Sequence, residues 1–424
     1  PIRGVVTPPR YVRPMRLLHT SDWHLGRQFH QSSLLEEQAA AVDAMVELAA
    51  SERVDAVLIA GDLFDRAIPS TGAVDLFDDA LVRLRDTGAV VVAISGNHDS
   101  ASRAGFGDRL LTRAGVTVRS DPARLADPVV VTDARSGDDS GAVAVYPVPF
   151  LDPLSVPRPL HDGPADDPDD ADDLPSPRRR PTHHSVMADA MDRIARDRRR
   201  RGLRSVVVAH AFVANFTPRL DEPPVEESDS ERALAVGGSD RVDQSVFDHV
   251  DYVALGHLHG PQSWDDGRIT YSGSPLAYSF SEQHHRKGVR IVDLAADGQL
   301  DVAHVELGVG RGLTTLTGNL EDLLGRPEHA DAEALRVRAV LTDAHLPGGA
   351  MARLRQRFPY VAELLHQPPE RTTSHDSPSS VQIRRRRPLD LAVEFVTEQW
   401  GDAPDAAASG VLRRAVTAVA GADR

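Results

Sequence analysis

Asp22, His24, Asp62, Asn97, His98, Asp99, His210, His257 and His259 are the residues of this chain whose types and spacing could do chemistry together. They fall in five short motifs: Asp22-Trp23-His24, Gly61-Asp62, Gly96-Asn97-His98-Asp99, His210 alone, and Gly256-His257-Leu258-His259. Between them they offer carboxylate, amide and imidazole donors and no thiolate, because the chain has no cysteine. Such a set suits hard and borderline divalent ions, Mn²⁺ first, with Mg²⁺ as the alternative. Two ions about 3.5–4 Å apart can stabilise the charge of a phosphoryl group and activate water, and they need a ligand in common. Asp62, a carboxylate at the end of a strand, is the candidate bridge. One His-x-His or Gly-Asp dipeptide would mean little, since a loop histidine is usually just that. Five in this order predict a two-metal site.

The elements that must position these residues are legible too. Each motif directly follows a short apolar run, at residues 16–20, 56–60, 90–94, 206–209 and 252–255. Continuous apolar runs of this length read as strands buried on both faces. Each motif therefore sits where a strand gives way to a loop, the place where open α/β sheets bind ligands. Gly61, Gly96 and Gly256 are read as residues that let the backbone turn tightly. If the motif backbones are extended, alternate residues share a face, so Asp22 would join His24 and His257 would join His259. Leu35, Ala39, Val42, Met45, Val46, Leu48 and Ala49 stand at helical spacing within residues 34–51. Further helices are predicted over 74–85 and 185–201, and further strands over 129–131, 142–148, 268–272 and 288–293. This alternation argues an α/β fold.

Composition sets limits. At 424 residues and 41% hydrophobic content the chain should hold two or three domains. The lack of cysteine excludes disulfides, thiolate metal sites and a cysteine nucleophile, and fits a reducing cytoplasm. Residues 1–14 contain no apolar segment of signal-peptide length, and no run approaches the roughly 18 apolar residues of a membrane span. A cytoplasmic protein without a membrane partner is expected. The formal net charge of −15 is unfavourable for binding nucleic acid. It is unevenly spread, however, with an acidic loop at 161–173 and arginine runs at 178–180, 198–201 and 384–387. The ordinary reading of such runs is solvated surface. Lys287 is the only lysine, so 48 − 1 = 47 of the basic residues are arginine, a skew attributable to codon bias. His19, inside a strand, reads as a core residue, whereas His30, His183, His184, His284 and His285 read as solvent-facing. Asp65 reads equally as a group that supports the site and as an ordinary loop carboxylate. The polar stretch at 218–229 reads as a mobile loop.

The five motifs in this order resemble those of the calcineurin-like metallophosphoesterases. Their flanks resemble the SbcD family of bacterial nuclease subunits within that group, through His19–Gly26, Gly61–Asp65, Leu255–His259 and Tyr271-Ser272-Gly273-Ser274-Pro275. The resemblance implies an α/β fold, a four-layer β-sandwich flanked by helices, with a small α+β capping domain and a helical tail. It implies that Asp22, His24, Asp62 and His259 hold one ion, and that Asp62, Asn97, His210 and His257 hold the other. It further implies that His98 protonates the leaving oxygen, with Asp99 positioning its ring. On this reading residues 15–307 form the nuclease domain, with a flexible insertion at about 151–181, and 308–366 form the capping domain. A linker follows at 367–388, and then a helical docking segment at 389–424.

That segment carries Leu389, Ala392, Val393, Val396 and Trp400 at i, i+3, i+4, i+7 and i+11, an amphipathic stripe. A second stripe follows in Leu412, Ala415, Val416 and Val419. The two helices either pack on their own domain or dock on a partner. The resemblance implies the latter, with an SbcC-like SMC ATPase in a heterotetramer built on a nuclease homodimer. The expected activity is metal-dependent exonuclease and endonuclease action on double-stranded DNA ends and hairpins. The alternative is a stand-alone metallophosphodiesterase acting on small phosphate esters. A silent scaffold is disfavoured, since no residue of the inferred set is replaced.

Overall fold

The computed structural model describes residues 13–132, 141–156, 181–217, 225–231, 241–369, 388–400 and 402–422. The acidic stretch at 161–173, the arginine runs at 178–180 and 384–387, and most of the expected linker lie outside these residues. The elements that build the larger unit are, in order, β1 (Met15–Thr20), α1 (Leu35–Ser51), β2 (Ala56–Ala60), α2 (Thr71–Asp86), β3 (Val90–Ile94) and β4 (Val116–Arg119). They continue with β5 (Val129–Val131), β6 (Val143–Val148), α3 (His183–Arg201), β7 (Arg204–His210) and β8 (Tyr252–Gly256). Last come β9 (Gln262–Trp264), β10 (Ile269–Tyr271), β11 (Gly288–Leu294) and β12 (Leu300–Glu306).

Two six-stranded sheets result, in the orders β12-β11-β1-β2-β3-β4 and β9-β10-β8-β7-β6-β5. The motif-bearing strands run parallel to one another where they pair, β1 to β2, β2 to β3 and β7 to β8. Their continuous apolar runs are explained by burial on both sides. In β2, Leu58 faces the space between the sheets with Leu17, Val92, Val145, Val208 and Tyr252. Its neighbours Val57 and Ile59 face the other way, onto Val42 and Met45 of α1 and Phe77 and Leu84 of α2. The second sheet does the same, packing Val207, Val253 and Leu255 on Met187, Met191 and Ile194 of α3. The fold is thus α/β, with helix, sheet, sheet and helix as four layers.

The helices extend beyond the apolar period seen in the sequence. α2 begins at Thr71 because Ser70 Oγ accepts the Ala73 N–H (3.3 Å). α3 begins at His183 because Thr182 and Ser185 form a reciprocal capping box, and it ends at Gly202 with φ +64°. First turns made of small or polar residues carry no periodic signal. The Arg198–Arg201 run closes α3, where Arg200 and Arg201 pair with Asp197 of the same helix.

By compactness the chain divides into Pro1–Thr314 with Ala334–Arg336, and Thr315–Glu333 with Val337–Arg424. Beyond the first unit run β13 (Leu313–Gly318), α4 (Leu320–Gly325), β14 (Arg336–Leu341), α5 (Ala350–Arg357) and β15 (Val361–His366). The three strands form one sheet, with β14 and β15 parallel, over a core that includes Leu323, Val337, Leu354 and Phe358. Two further helices, α6 (Pro388–Trp400) and α7 (Ala406–Ala422), lie against each other. None of their described side chains is fully buried, and Phe395 is 62% and Val411 55% exposed. Among the described residues, no helix is long and apolar enough to cross a membrane.

Candidate metal centre

All five motifs meet beyond the carboxyl ends of β1, β2, β3, β7 and β8. The loops after β1 and β2 are joined by backbone hydrogen bonds, Asp22 N–H to Gly61 O (3.1 Å) and His24 N–H to Asp62 O (2.9 Å). The backbone of the motifs is not extended, as the alternation argument assumed. Asp22 (φ +53°), His24 (+45°), Asp62 (+48°) and His257 (+111°) all have positive φ. Non-glycine residues adopt such angles at a cost, and they collect at functional sites. Here the chain must reverse within one or two residues of a strand end to bring these side chains to a common point.

The three glycines act differently from one another. Gly61 has φ +88°, and a Cβ there would lie 2.4 Å from His210 Nδ1. Gly96 and Gly256 lack a positive φ and instead permit close approach. A Cβ on Gly96 would lie 2.1 Å from Asp62 Oδ1, and one on Gly256 would lie 1.9 Å from Ala60 O. Gly61→Ala is therefore expected to push His210 away from Ala60 O and remove one of two Mn²⁺-binding events in calorimetry. It should also destabilise the fold by about 1–3 kcal/mol, through the unfavourable φ. Two binding events of wild-type affinity would show that the loop gives way without disturbing His210.

Asp62, 2% exposed, occupies the middle of the cluster. Its Oδ2 is 3.5 Å from His24 Nε2, 3.5 Å from His210 Nε2 and 4.0 Å from His98 Nε2. Its Oδ1 accepts the His98 N–H (2.9 Å). On one side, His24 Nε2 faces His259 Nε2 at 3.1 Å, and Asp22 is held by Ser21 Oγ (2.6 Å) and the His257 N–H. On the other, His210 gives Nδ1–H to Ala60 O (2.9 Å) and turns Nε2 to the Asn97 side-chain oxygen (2.8 Å). His257 lies edge-on to His210, ring centres 5.5 Å apart.

Among the described residues, three sets of donor atoms lie within 4.8 Å of one another: Asp22, His24 and His259; Asp22, Asp62 and His210; and His24, Asp62 and His98. His257 belongs to none of the three. Burial lowers the pKa values of His24, His210, His257 and His259, leaving neutral rings with lone pairs to donate. Burial, and then the charge of Asp62, raises Asp22 well above the usual carboxylate range and Asp99 to about 7. Asn97 Nδ2 and His24 Nδ1 are buried without a hydrogen-bond partner. Crowded buried carboxylates and neutral imidazoles with lone pairs to donate are what divalent cations relieve. The residues fit two such ions.

The role expected for Asp99 is corrected. Its carboxylate does not hold the His98 ring but accepts three backbone N–H groups, from Leu63 (3.0 Å), Phe64 (2.9 Å) and Gly96 (2.8 Å). It ties the second motif's loop to the third. The ring is oriented instead by Asp65, whose carbonyl accepts His98 Nδ1–H (2.9 Å). The Asp65 carboxylate itself pairs with Arg27 (3.2 Å).

His19 is a core residue, with Nδ1 at 2.8 Å from Tyr252 OH. His183 is not solvent-facing but 4% exposed, because α3 begins there and turns the ring against Phe150. Residues 218–224 of the stretch expected to be a mobile loop lie outside the described residues, and the part that follows runs on into the site. In residues 225–231, Glu231 accepts the His259 N–H (2.7 Å) and Ser230 Oγ meets His259 Nδ1 (2.7 Å). Gln38 was hidden in the polar face of a helix pattern, yet it accepts the Gly26 N–H (2.9 Å) and donates to His24 O (2.7 Å).

A family model described as calcineurin-like phosphoesterase matches residues 15–261, which hold every one of these donors. The chain belongs to that family. This phosphoesterase is accordingly a metal-dependent hydrolase of phosphoesters. Among the solved structures similar to it are the following three. The Thermus thermophilus protein TT1561 shares 13% identity over 69% of this chain and 99% of its own, with a TM-score of 0.37. An anchor protein of the inner membrane complex of Plasmodium shares 12% over 86% and 100%, with a TM-score of 0.36. A dimetal phosphatase from Danio rerio shares 12% over 67% and 94%, with a TM-score of 0.35. At such identities and TM-scores they say nothing of substrate.

Proposed function

We propose that this phosphoesterase is a cytoplasmic DNA nuclease with exonuclease and endonuclease action on duplex ends and hairpins, working with an SbcC-like SMC ATPase in repair and recombination. The observation that carries this reading is the α6–α7 pair. A small-ester hydrolase has no use for two terminal helices that leave Phe395 and Val411 exposed. An anchor for a partner does, and the flanks of the motifs resemble those of nuclease subunits. Apolar side chains elsewhere support a nuclease homodimer within a heterotetramer. Ile68 (72%), Phe106 (86%) and Leu110 (72%) stand exposed on segments joined by Arg103, which donates to Ala67 O.

Asp22, His24, Asp62 and His259 would hold one ion, and Asp62, Asn97, His210 and His257 the other. The donor set suits Mn²⁺. When bound, the two ions supply an activated water and neutralise charge on the phosphoryl oxygens. The protein must then deliver a proton to the departing alkoxide. His98 would supply it, a reading supported by the commitment of Nδ1 to Asp65 O, which leaves Nε2 to carry the proton. The side chain is 15% exposed, so substrate can reach it.

The test is Mn²⁺-dependent digestion of end-labelled hairpin DNA by the full chain and by a chain truncated after Gln367, each with and without the ATPase. Both should cleave a nitrophenyl phosphodiester equally, because every inferred ligand precedes Gly260. Only the full chain should co-purify with the ATPase and be stimulated by it. Cleavage of the aryl ester with none of DNA would favour the small-ester alternative. Undiminished co-purification of the truncated chain would place the partner site elsewhere.

A further inference from the structure

Lys287 is the only lysine of the chain. It lies in the interior directly behind His259, 10% exposed. Its Nζ donates to Glu282 Oε2 (2.6 Å), His259 O (2.8 Å) and Ser274 Oγ (2.9 Å), one acceptor for each ammonium hydrogen. Glu282, 1% exposed, is in turn the hub of the surrounding polar groups. Its Oε2 also accepts the Tyr278 N–H (3.1 Å), and its Oε1 accepts from Ser230 Oγ and lies 3.3 Å from His259 Nδ1. Ser230 Oγ is 2.7 Å from the same nitrogen. Ammonium, carboxylate, hydroxyl and imidazole thus form one line, and the imidazole's far nitrogen, Nε2, faces His24 Nε2 at 3.1 Å.

A chain that uses arginine at every other basic position has lysine here. A guanidinium is planar and sends its donors out as a fork, whereas this pocket needs three donors radiating from a single atom. Buried carboxylates that take the outer N–H of a ligating histidine fix its tautomer and raise its basicity.

We propose that Lys287, Glu282 and Ser230 are positioning residues that keep the His259 proton on Nδ1 and aim its Nε2 lone pair into the metal centre. The affinity for the ion shared with Asp22 and His24 would then depend on them. The proposal rests on the two-metal reading of the site. It also assigns a role to the Tyr271–Pro275 segment, since Ser274 is one of the three acceptors of Lys287.

Calorimetric titration of the full chain with Mn²⁺ tests it. Glu282→Gln, Lys287→Arg and Ser230→Ala should each weaken one of the two ions by about 10–100-fold, the usual effect of losing a histidine's outer partner, and leave the other ion within about threefold. The double variant Glu282→Gln/Lys287→Met removes both charges of the buried pair. It should recover metal-free melting behaviour without recovering ion affinity, which a merely structural pair would recover as well. Ser230→Ala leaves the pair intact, so misfolding of the other variants cannot shield the idea. Selective ¹⁵N-lysine labelling gives one ammonium signal, which should broaden as Mn²⁺ fills the site. If wild type binds two ions and the variants bind both equally well, the positioning role is overturned and the metal centre stands. If wild type binds none, both fall.

Discussion

Asp62→Asn is expected to slow hydrolysis by about 10²–10³-fold, the scale of losing one preorganised electrostatic group. The reason is position. Oδ2 of Asp62 is equidistant, at 3.5 Å, from imidazole nitrogens of the first and fourth motifs. That is the place for a ligand held in common by two ions. The asparagine keeps the side-chain shape and the oxygen that accepts the His98 N–H but lacks the charge shared between the ions. The metal-free variant should melt no lower than wild type, because the charge of Asp62 is one of the two main causes that raise Asp22 and Asp99. Loss of metal without loss of fold is thus the expected signature, read by Mn²⁺ calorimetry beside a metal-free melt. Two undiminished binding events would remove Asp62 from the bridge.

His98→Gln separates chemistry from binding. It should keep both ions and bind substrate normally yet cleave DNA about 10²–10⁴-fold more slowly, the usual worth of a general acid. A nitrophenyl ester, whose leaving group departs without a proton, should be hydrolysed almost as fast as by wild type. That contrast between substrates is the decisive measurement. His98 also lies within 4.8 Å donor distance of His24 and Asp62, so a ligand role is the competing account. A variant that loses an ion and slows equally on both substrates would make His98 a ligand. Substitution of Asp99 should behave differently again, loosening the loops that carry Asp62 and Gly96 without a preference between leaving groups, since its carboxylate holds the backbone N–H groups of those loops.

The donors themselves were legible in the sequence, and so was their place at strand ends. Ligand chemistry belongs to the side chain, and a strand buried on both faces announces itself as a local apolar run. The α/β class follows from those runs alternating with amphipathic helices, whereas the four layers were implied by the family resemblance. What only the tertiary structure decided is how the donors converge and what stands behind them. His24 and His259, whose nitrogens come within 3.1 Å, are 235 residues apart in the chain. The positive φ angles of Asp22, His24, Asp62 and His257 are imposed by that convergence, and no local propensity foretells them. The resemblance implied that Asp99 positions the His98 ring, whereas packing turned its carboxylate toward the backbone N–H groups of Leu63, Phe64 and Gly96. Gln38, Ser230, Glu231, Glu282 and Lys287 went unread for a related reason. Burial of a polar side chain is a property of the whole fold: a residue in a polar stretch has no periodicity to mark it, and only when distant segments close over it does its hydrogen bond become obligatory.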